Sequence, residues 1–220
     1  MGLFSREPRR RSTAGTTLFL VRHGETNQNT KRVYMGRSND PLNERGRLQA
    51  GAVAERLSSL GISRIFSSPV ARAVQTAEVI SEKLKLDVET LDCFTEIDFG
   101  PWRRLSAEEI ERRWPREWRL WRQKPHLLDF SGIETLTGVR MRVEEGLDIM
   151  LDEGNGRNVA IVTHDVVVRS MLALTLNIDN SRYRSFVVAN ASLSILHYEG
   201  EGGSILLLNG TSHLKALSSG

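Results

Sequence analysis

Two histidines, two arginines and one glutamate stand next to apolar segments of the sequence. His23 and His164 each follow a short run of the kind that forms a buried strand, and Arg22 directly precedes His23. Arg72 lies in the first turn of a predicted helix that follows a third such run, and Glu96 lies in a loop beyond a fourth. Ligands of open α/β sheets bind beyond the carboxyl ends of the strands. The five side chains therefore converge if their strands share one sheet.

Each of these residue types suits one step of phosphoryl transfer. A guanidinium group binds a phosphate dianion through parallel hydrogen bonds, and a neutral imidazole is an established covalent nucleophile. A carboxylic acid with a raised pKa can protonate a leaving alkoxide. Taken alone, Arg22-His23-Gly24 suits a solvated strand end equally well, with the arginine in a surface ion pair. The chemical interpretation therefore depends on how the elements are arranged.

The chain alternates strand-like and helix-like segments and ends in a hairpin. Apolar runs predict strands at residues 18–21, 62–66, 86–91 and 159–162. Helical spacing predicts helices over residues 44–60, 69–80, 107–122, 139–151 and from 165 onward. Residues 191–198 and 204–208 flank a glycine-rich turn. This order predicts an α/β fold, a three-layer α/β/α sandwich around a mainly parallel sheet with an antiparallel edge.

Two of the predicted helices carry recognisable apolar faces. In the helix over residues 44–60, which Asn43 is expected to cap, Leu48 and Leu57 belong to the predicted core face. In the segment 107–122, three tryptophans at offsets of four and three share one helix face, at positions 114, 118 and 121. We expect the tryptophans to pack onto the body, with some of them also facing a substrate.

The charge is concentrated at the N-terminus. The net charge of +3 equals the balance of Arg6, Arg9, Arg10, Arg11 and Glu7, so the rest of the chain is formally neutral. We predict a disordered basic leader over residues 1–16, a single domain over 17–214 and a loose tail over 215–220. A neutral body gives no reason to expect a nucleic-acid partner.

The composition is that of a soluble globular protein in a reducing compartment. The chain has 220 residues, of which 40% are hydrophobic and 26% charged. Cys93 is the only cysteine, which excludes an intramolecular disulfide. No apolar run approaches 18 residues, and the N-terminus lacks the apolar segment of a signal peptide. We therefore expect a cytoplasmic protein without a membrane partner; the oligomeric state cannot be deduced from the sequence.

Several ordered motifs give the chain its resemblance to a known family. It resembles the histidine phosphatase superfamily, in the branch of phosphoglycerate mutase-like phosphatases. The matching segments are residues 22–26 with Asn29, then residues 36–42, 67–77, 96–102, 162–164 and 208–214. The resemblance covers about residues 17–214, and it implies a phosphoglycerate mutase-like fold.

The resemblance also implies a role for each matching residue. His23 is expected to be the nucleophile that becomes phosphohistidine, and Glu96 the acid that protonates the leaving group and then the base that activates water. Arg22, Arg72 and His164 are expected to hold the phosphoryl oxygens. The expected substrate- and phosphate-binding set further includes Asn29, Gly36, Arg37, Thr163 and Asp165. The resemblance implies neither a metal nor a cofactor.

The sequence departs from the family pattern at three places. Asp165 stands where the family usually has glycine, and its carboxylate would repel a phosphate unless it turns away or pairs with a cation such as Arg169. Met35 stands where some members have glutamine, and Arg103-Arg104 replaces a common Glu-Gly. We expect these three departures to lie near the substrate.

Three functions compete on this evidence. The leading hypothesis is a metal-independent phosphomonoesterase that hydrolyses a small phosphorylated metabolite, such as a sugar phosphate, a phosphoglycerate-type acid or a nucleotide-like phosphate. The second is a phosphoglycerate mutase, which returns the phosphoryl group to another hydroxyl. Mutases carry a longer insertion between the residues matching Glu96 and His164, which here are 68 positions apart, so hydrolysis is favoured. The third is a phospho-ligand-binding module without catalytic activity, supported by Asp165 alone.

Overall fold

A six-stranded mixed sheet forms the centre of the molecule. The computed structural model describes residues 15–153, 156–200 and 202–218. The strands are β1 (Thr16–Arg22), β2 (Ile62–Ser67), β3 (Val88–Thr90), β4 (Asn158–Thr163), β5 (Leu193–Glu199) and β6 (Gly202–Gly210). Their order across the sheet is β3-β2-β4-β1-β5-β6. Strands β1 to β4 pair in parallel, whereas β5 and β6 add an antiparallel edge. The predicted fold class is confirmed.

The register of the central strands places the two histidines side by side. Arg22 pairs with Thr163 at the carboxyl ends of β1 and β4, so the next residue of each strand is a histidine. Ser67 pairs with Val162 on the other side of β4, which brings Ser68 to the same edge. The convergence expected from the strand ends is thus built into the strand pairing.

Helices cover both faces of the sheet. They are α1 (Asn27–Thr30), α2 (Glu44–Ser58), α3 (Ala71–Leu84), α4 (Ala107–Arg113), α5 (Pro115–Gln123), α6 (Leu136–Glu153) and α7 (Asp165–Thr175). Short 3-10 helices occupy residues Asp92–Phe94, Gly100–Trp102, Pro125–Leu127, Asn180–Ser185 and Ser212–Ser218. Asn43 caps α2 as expected, accepting a hydrogen bond from the Gly46 N–H at 2.7 Å.

Alternating side chains of the buried strands pack in two separate cores, one on each face of the sheet. Leu18 and Leu20 of β1 pack in the larger core, beneath α4 to α7. Phe19 and Val21 point to the opposite face and pack beneath α2 and α3. A strand buried on both faces explains why this segment is continuously apolar rather than alternating.

The predicted tryptophan helix is two helices. It breaks at Trp114, where α4 ends and Pro115 begins α5, because the residue before a proline is driven out of the helical conformation. Trp118 and Trp121 are buried and lie in the larger core, and Trp114 packs against it. The packing expected for the tryptophans is confirmed, although the single helix was wrong.

The predicted core face of α2 was wrong at Leu48, which is 57% exposed. Leu57 is buried as predicted, and the buried stripe runs from Gly46 to Leu57 on the side of the helix opposite to Leu48. Gly46 lies there because a Cβ atom on it would approach the Glu25 carbonyl oxygen to 2.1 Å. Close approach to the loop after β1 therefore fixes the rotation of α2, and a leucine pattern does not show this requirement.

The ends of the domain differ from the prediction where the structure describes them. Residues 1–14 of the predicted leader lie outside the described residues, and β1 begins at Thr16, inside that leader. In the predicted tail, residues 215–218 belong to the 3-10 helix Ser212–Ser218, which contacts α2. In the described part of the chain, no helix combines the length and the apolar character needed to cross a membrane.

Candidate active site

The two histidines lie together at the carboxyl edge of the sheet. Their ring centroids are 5.2 Å apart, and His23 is 2% and His164 0% exposed. Burial, together with the positive charges of Arg72 and Arg22, holds both pKa values well below 6.5. Both imidazoles are therefore neutral at pH 7, the state in which a ring nitrogen can act as a nucleophile.

The hydrogen bonds of His23 define its tautomer. Nδ1 lies 2.7 Å from the Gly24 carbonyl oxygen, which can only accept, so Nδ1 carries the proton. Nε2 is then unprotonated, and its lone pair accepts a hydrogen bond from Nε of Arg72 at 3.1 Å. An anion held by Arg72 would lie next to the unprotonated nitrogen of His23.

Arg72 is a buried cation that main-chain carbonyls hold in place. It is the second residue of α3, in the first turn predicted for it. Its Nη1 and Nη2 each donate at 2.8 Å, to the carbonyl oxygens of Ser38 and Gly36. Burial lowers the pKa of Arg72 to about 10, which leaves it charged at neutral pH. The partial positive charge at the start of α3 adds to its attraction for anions.

Asp165 is compensated by neighbouring arginines. Both of its carboxylate oxygens accept from Nε of Arg169, at 3.1 and 3.0 Å. Arg22 lies 3.9 Å from the same carboxylate and donates to the Val188 carbonyl oxygen at 2.6 Å. The pairing with Arg169 that the sequence suggested is confirmed, so this carboxylate does not stand in the cavity as an unpaired negative charge.

Glu96 is a buried carboxyl group with a strongly altered pKa. It is 7% exposed and accepts a hydrogen bond at Oε1 from the Ile97 N–H at 2.9 Å. Burial and the nearby negative charge of Asp165 raise its pKa to about 7. At neutral pH Glu96 is therefore available in both protonated and ionised forms, as a general acid and base requires.

These side chains border one cavity of about 240 Å³. It brings together seven of the residues predicted for the site: Arg22, His23, Asn29, Gly36, Arg72, Glu96 and Asp165. An aromatic wall and three further arginines complete it: Tyr34, Phe99, Trp121 and Tyr183, with Arg32, Arg169 and Arg184. The arrangement can hold an anion against an imidazole, with a proton donor in the same space.

Three predicted residues lie outside the lining of this cavity. His164 stands behind His23, with Nε2 2.7 Å from Oγ of Ser68, while its buried Nδ1 has no partner within the described residues. Thr163 is fully buried and donates to the Phe94 carbonyl oxygen at 2.7 Å. Arg37 is turned toward the Glu96 main chain and Glu134. Thr163 and Arg37 thus turn away from the cavity, and their expected role in substrate binding stays a prediction.

Comparison with known proteins identifies the family of this chain. The model of the histidine phosphatase superfamily, branch 1, matches residues 18–211. The chain belongs to the histidine phosphatase superfamily. Phosphoserine phosphatase 1 of Hydrogenobacter thermophilus is 38% identical over 197 residues, which cover 90% of this chain and 93% of the relative. A probable phosphoglycerate mutase, GpmB of Salmonella paratyphi A, is 30% identical over 207 residues, covering 90% and 95%.

The fold is shared with solved structures as well. Bacillus stearothermophilus YhfR superposes with a TM-score of 0.87 at 29% identity, over 91% of this chain and all of that one. Within the described ranges of this histidine phosphatase, no group of three or more His, Cys, Asp or Glu side chains is arranged as a set of metal ligands.

The departures from the family pattern separate into two kinds. Met35 and Asp165 line the cavity, and the Met35 sulfur accepts a hydrogen bond from the Thr26 hydroxyl at 3.4 Å. Arg103 pairs instead with Asp98 at 2.8 Å, and Arg104 pairs with Asp40 at 3.2 Å. The expectation that all the departures lie near the substrate was therefore wrong for the two arginines, which are held by carboxylates outside the cavity.

Sequence reasoning missed residues that reach the site from distant elements. The Asn190 side-chain amide donates to the His23 carbonyl oxygen and to Oδ1 of Asn29, both at 3.2 Å. Arg184 stacks over Trp121 at 5.6 Å and donates to its carbonyl oxygen at 2.5 Å. Arg184 stands in the 3-10 helix Asn180–Ser185 and Asn190 in the irregular chain that follows, where no strand or helix pattern of the sequence points to a function. Ser68 did stand inside a matching motif, beside Pro69.

Proposed function

We propose that this histidine phosphatase is a metal-independent phosphomonoesterase that acts through a phosphohistidine on His23. The observation that carries the proposal is the pairing of two groups in one cavity. His23 is neutral with an unprotonated Nε2, and Glu96 has a pKa of about 7. A nucleophile and a proton donor with matched protonation states are what transfer from an alkyl phosphate requires.

Binding precedes the first transfer. The phosphate dianion is held by Arg22 and Arg72 and by the Nδ1–H of His164. That proton assignment follows if the Ser68 hydroxyl donates to Nε2 of His164 at 2.7 Å while it accepts from the Val70 N–H. The Nδ1–H then supplies a buried donor whose partner is a phosphoryl oxygen. The guanidinium groups stabilise charge on the equatorial oxygens in the transition state.

In the first chemical step, the Nε2 lone pair of His23 forms the N–P bond while the ester P–O bond breaks. The electrons of that bond go to the leaving oxygen, which takes the proton of Glu96 and departs as the alcohol. Nδ1 keeps its proton, and the Gly24 carbonyl oxygen stabilises the resulting charge on the ring. Transfer through a loose transition state depends on positioning and on charge stabilisation, which this rigid arrangement supplies.

In the second step the Glu96 carboxylate takes a proton from water. The water oxygen attacks phosphorus, the N–P bond breaks, and its electrons return to Nε2. Inorganic phosphate leaves, and both His23 and Glu96 recover their starting protonation states. One carboxyl group thus serves as acid and then as base, for which a pKa near neutrality is suitable.

Charge in the cavity favours a substrate whose alcohol half carries a carboxylate. Five arginines line the cavity, against the carboxyls of Glu96 and Asp165, and Glu96 must be protonated for the first step. A phosphate dianion leaves part of this positive charge unbalanced. Phosphoserine, after which the Hydrogenobacter thermophilus relative is named, carries a carboxylate beside an ammonium group and is small enough to suit a cavity of about 240 Å³.

A screen of small phosphate esters tests the proposal. O-Phospho-L-serine, 3-phosphoglycerate and glycerol 1-phosphate are offered separately, and inorganic phosphate is measured. We expect phosphate release from all three esters, faster from the two that carry a carboxylate, and no measurable release from the His23→Ala variant. The competing mutase function predicts a different result, namely interconversion of 3-phosphoglycerate and 2-phosphoglycerate in the presence of 2,3-bisphosphoglycerate, without phosphate release.

A further inference from the structure

The loop that carries Glu96 is held through its main chain, in addition to the burial of Phe94, Ile97 and Phe99 in the larger core. Consecutive carbonyl oxygens from Cys93 to Glu96, and that of Asp98, accept hydrogen bonds from residues outside this segment. The donors, in the order of the carbonyl groups, are Arg142, Thr163, Arg142 again, Arg37 and the Glu134 N–H. Such dense fixation of an irregular segment is unusual, since loops commonly leave main-chain groups to water.

Arg142 holds the first half of the loop. It lies in α6, and its Nη1 donates to the carbonyl oxygens of Cys93 at 2.8 Å and Thr95 at 2.6 Å. The rest of its guanidinium forms a bidentate pair with Glu134, with Nε to Oε1 at 2.7 Å and Nη2 to Oε2 at 3.1 Å. The bidentate geometry fixes the direction of the fork as well as its distance.

Glu134 holds the second half of the loop. Its N–H donates to the Asp98 carbonyl oxygen at 2.8 Å, and its Oε2 accepts from the Asp98 N–H at 3.1 Å. Arg37 Nη2 lies 3.1 Å from the same oxygen, while Arg37 Nε donates to the Glu96 carbonyl oxygen at 3.2 Å. Burial alone would raise the pKa of Glu134, but the hydrogen bonds and charge of Arg142 and the Asp98 N–H lower it. Glu134 therefore remains a carboxylate.

We infer that Glu134, Arg142 and Arg37 are positioning residues that fix the Glu96 carboxyl group against the leaving oxygen. None of these three side chains borders the cavity. The Glu96 carboxyl group accepts its hydrogen bond from the N–H of the adjoining Ile97, so its location follows that of the loop backbone. Thr163 adds a further contact through the Phe94 carbonyl group. We refer to the contacts of Glu134, Arg142, Arg37 and Thr163 with this loop as the bracket. This inference rests on the proposed role of Glu96 as general acid.

The bracket has a selective chemical consequence. An alkoxide is a poor leaving group that needs the proton of Glu96, whereas p-nitrophenolate departs without one. A displacement of the carboxyl group by about 1 Å can slow a proton transfer by about 100-fold. Loosening the loop should therefore slow the cleavage of alkyl phosphates and leave p-nitrophenyl phosphate nearly unaffected, a pattern that general destabilisation does not produce.

The primary test compares kcat/KM of the Glu134→Ala variant and the parent enzyme on O-phospho-L-serine, glycerol 1-phosphate and p-nitrophenyl phosphate. For the alkyl phosphates we expect a loss of about 10- to 100-fold. For p-nitrophenyl phosphate we expect a change below about threefold. Equal losses on both kinds of substrate, or no loss on either, would overturn the inference.

A second readout is the pH dependence of kcat/KM. When the loop loosens, water reaches Glu96 and its pKa falls from about 7 toward its ordinary value of 4.5. The decline of kcat/KM on the alkaline side, where the acid loses its proton, should then begin at lower pH in the Glu134→Ala variant. An unchanged alkaline limb would contradict the inference.

Arg37→Met is a milder variant that tests the inference if Glu134→Ala does not fold. Arg37 is 40% exposed, so Arg37→Met should fold and show the same selectivity with a smaller loss. Glu55→Gln is the matched control because Glu55 of α2 forms an ion pair of 2.6 Å with Lys83 of α3, on the face of the sheet opposite to the core that holds the loop, and all three substrates should be cleaved at parental rates. The absence of any selective loss in Arg37→Met would count against the bracket.

Glu96→Gln, assayed in parallel, separates this inference from the proposed function. If Glu96→Gln discriminates between alkyl and nitrophenyl substrates while the Glu134 and Arg37 variants do not, then the bracket is wrong and the acid assignment stands. If Glu96→Gln shows no such discrimination, then the acid assignment itself is wrong.

Discussion

The floor and the rim of the cavity are built in different ways. The floor consists of His23 and Arg72, with His164 directly behind His23; the three residues sit at strand ends and a helix start and are nearly or fully buried. Their polar groups are tied to main-chain carbonyls and to Ser68. The rim includes Arg184 and Trp121, which come from the 3-10 helix Asn180–Ser185 and from α5 and meet through stacking. We therefore propose that the floor carries out the phosphoryl chemistry and that the rim selects the substrate.

The largest expected effect lies in the floor. His23→Ala removes the nucleophile, so phosphate release should fall by about 10⁴-fold or more for every substrate. Far-UV circular dichroism and the cooperative thermal transition should remain, because the cavity is polar at this point and the neighbouring residues keep their main-chain partners. Residual turnover close to the parental rate would place the nucleophile elsewhere.

The next effect depends on the leaving group. Glu96→Gln keeps the shape of the side chain but has no proton to transfer, so kcat/KM for alkyl phosphates should fall by about 100-fold or more. The loss should be much smaller for p-nitrophenyl phosphate. Initial rates on an alkyl phosphate and on p-nitrophenyl phosphate test whether Glu96 is the general acid. An equal loss on both substrates would assign Glu96 to substrate binding instead.

A smaller effect is expected at the rim. Arg184→Met should lower kcat/KM for 3-phosphoglycerate by about tenfold, or ~1.4 kcal/mol. The loss for glycerol 1-phosphate should be clearly smaller, because that alcohol has a hydroxyl group where 3-phosphoglycerate has a carboxylate. Arg182→Met is the matched control, since Arg182 lies in the same 3-10 helix and outside the cavity lining. If Arg184→Met and Arg182→Met lose the same factor in kcat/KM for 3-phosphoglycerate relative to glycerol 1-phosphate, then the rim does not select the substrate.

The smallest effect is the pH dependence of the parent enzyme. The first step needs protonated Glu96 and neutral His23, so kcat/KM should fall as pH rises through about 7 and should remain high below it until His23 is protonated. At pH 7, about half of the enzyme carries the required proton. Arg184→Met should leave this alkaline limb in place, because the limb belongs to the floor. If the alkaline decline of kcat/KM shifts in Arg184→Met, then the floor and the rim do not act independently.

The floor could be predicted from the sequence because its residues stand where apolar runs end. Parallel pairing of neighbouring strands then brings their carboxyl ends together without further information. Period-two alternation also bears on Thr163, which shares the face of Val159 and Ile161 and so points into the larger core, away from the cavity. The motif match implied that Thr163 binds the substrate, whereas strand geometry turns its side chain away from the cavity.

The rim could not be predicted in the same way. Where Arg184 and Asn190 lie depends on how the chain after α7 packs over the sheet, and that packing has no local sequence signal. The rotation of α2 is a similar case, because Leu48 fits an apolar pattern while Gly46 meets the steric demand of the loop after β1. Close approach of two backbones decides such cases.

Trapping the covalent intermediate tests the central claim most directly. The enzyme is mixed with ³²P-labelled substrate, quenched in alkali within one turnover and digested, and the labelled peptide is identified by mass spectrometry. Phosphate on Nε2 of His23, with no label in His23→Ala, is the predicted result. Multiple turnover with no labelled peptide at any quench time, or a label on His164, would contradict the account.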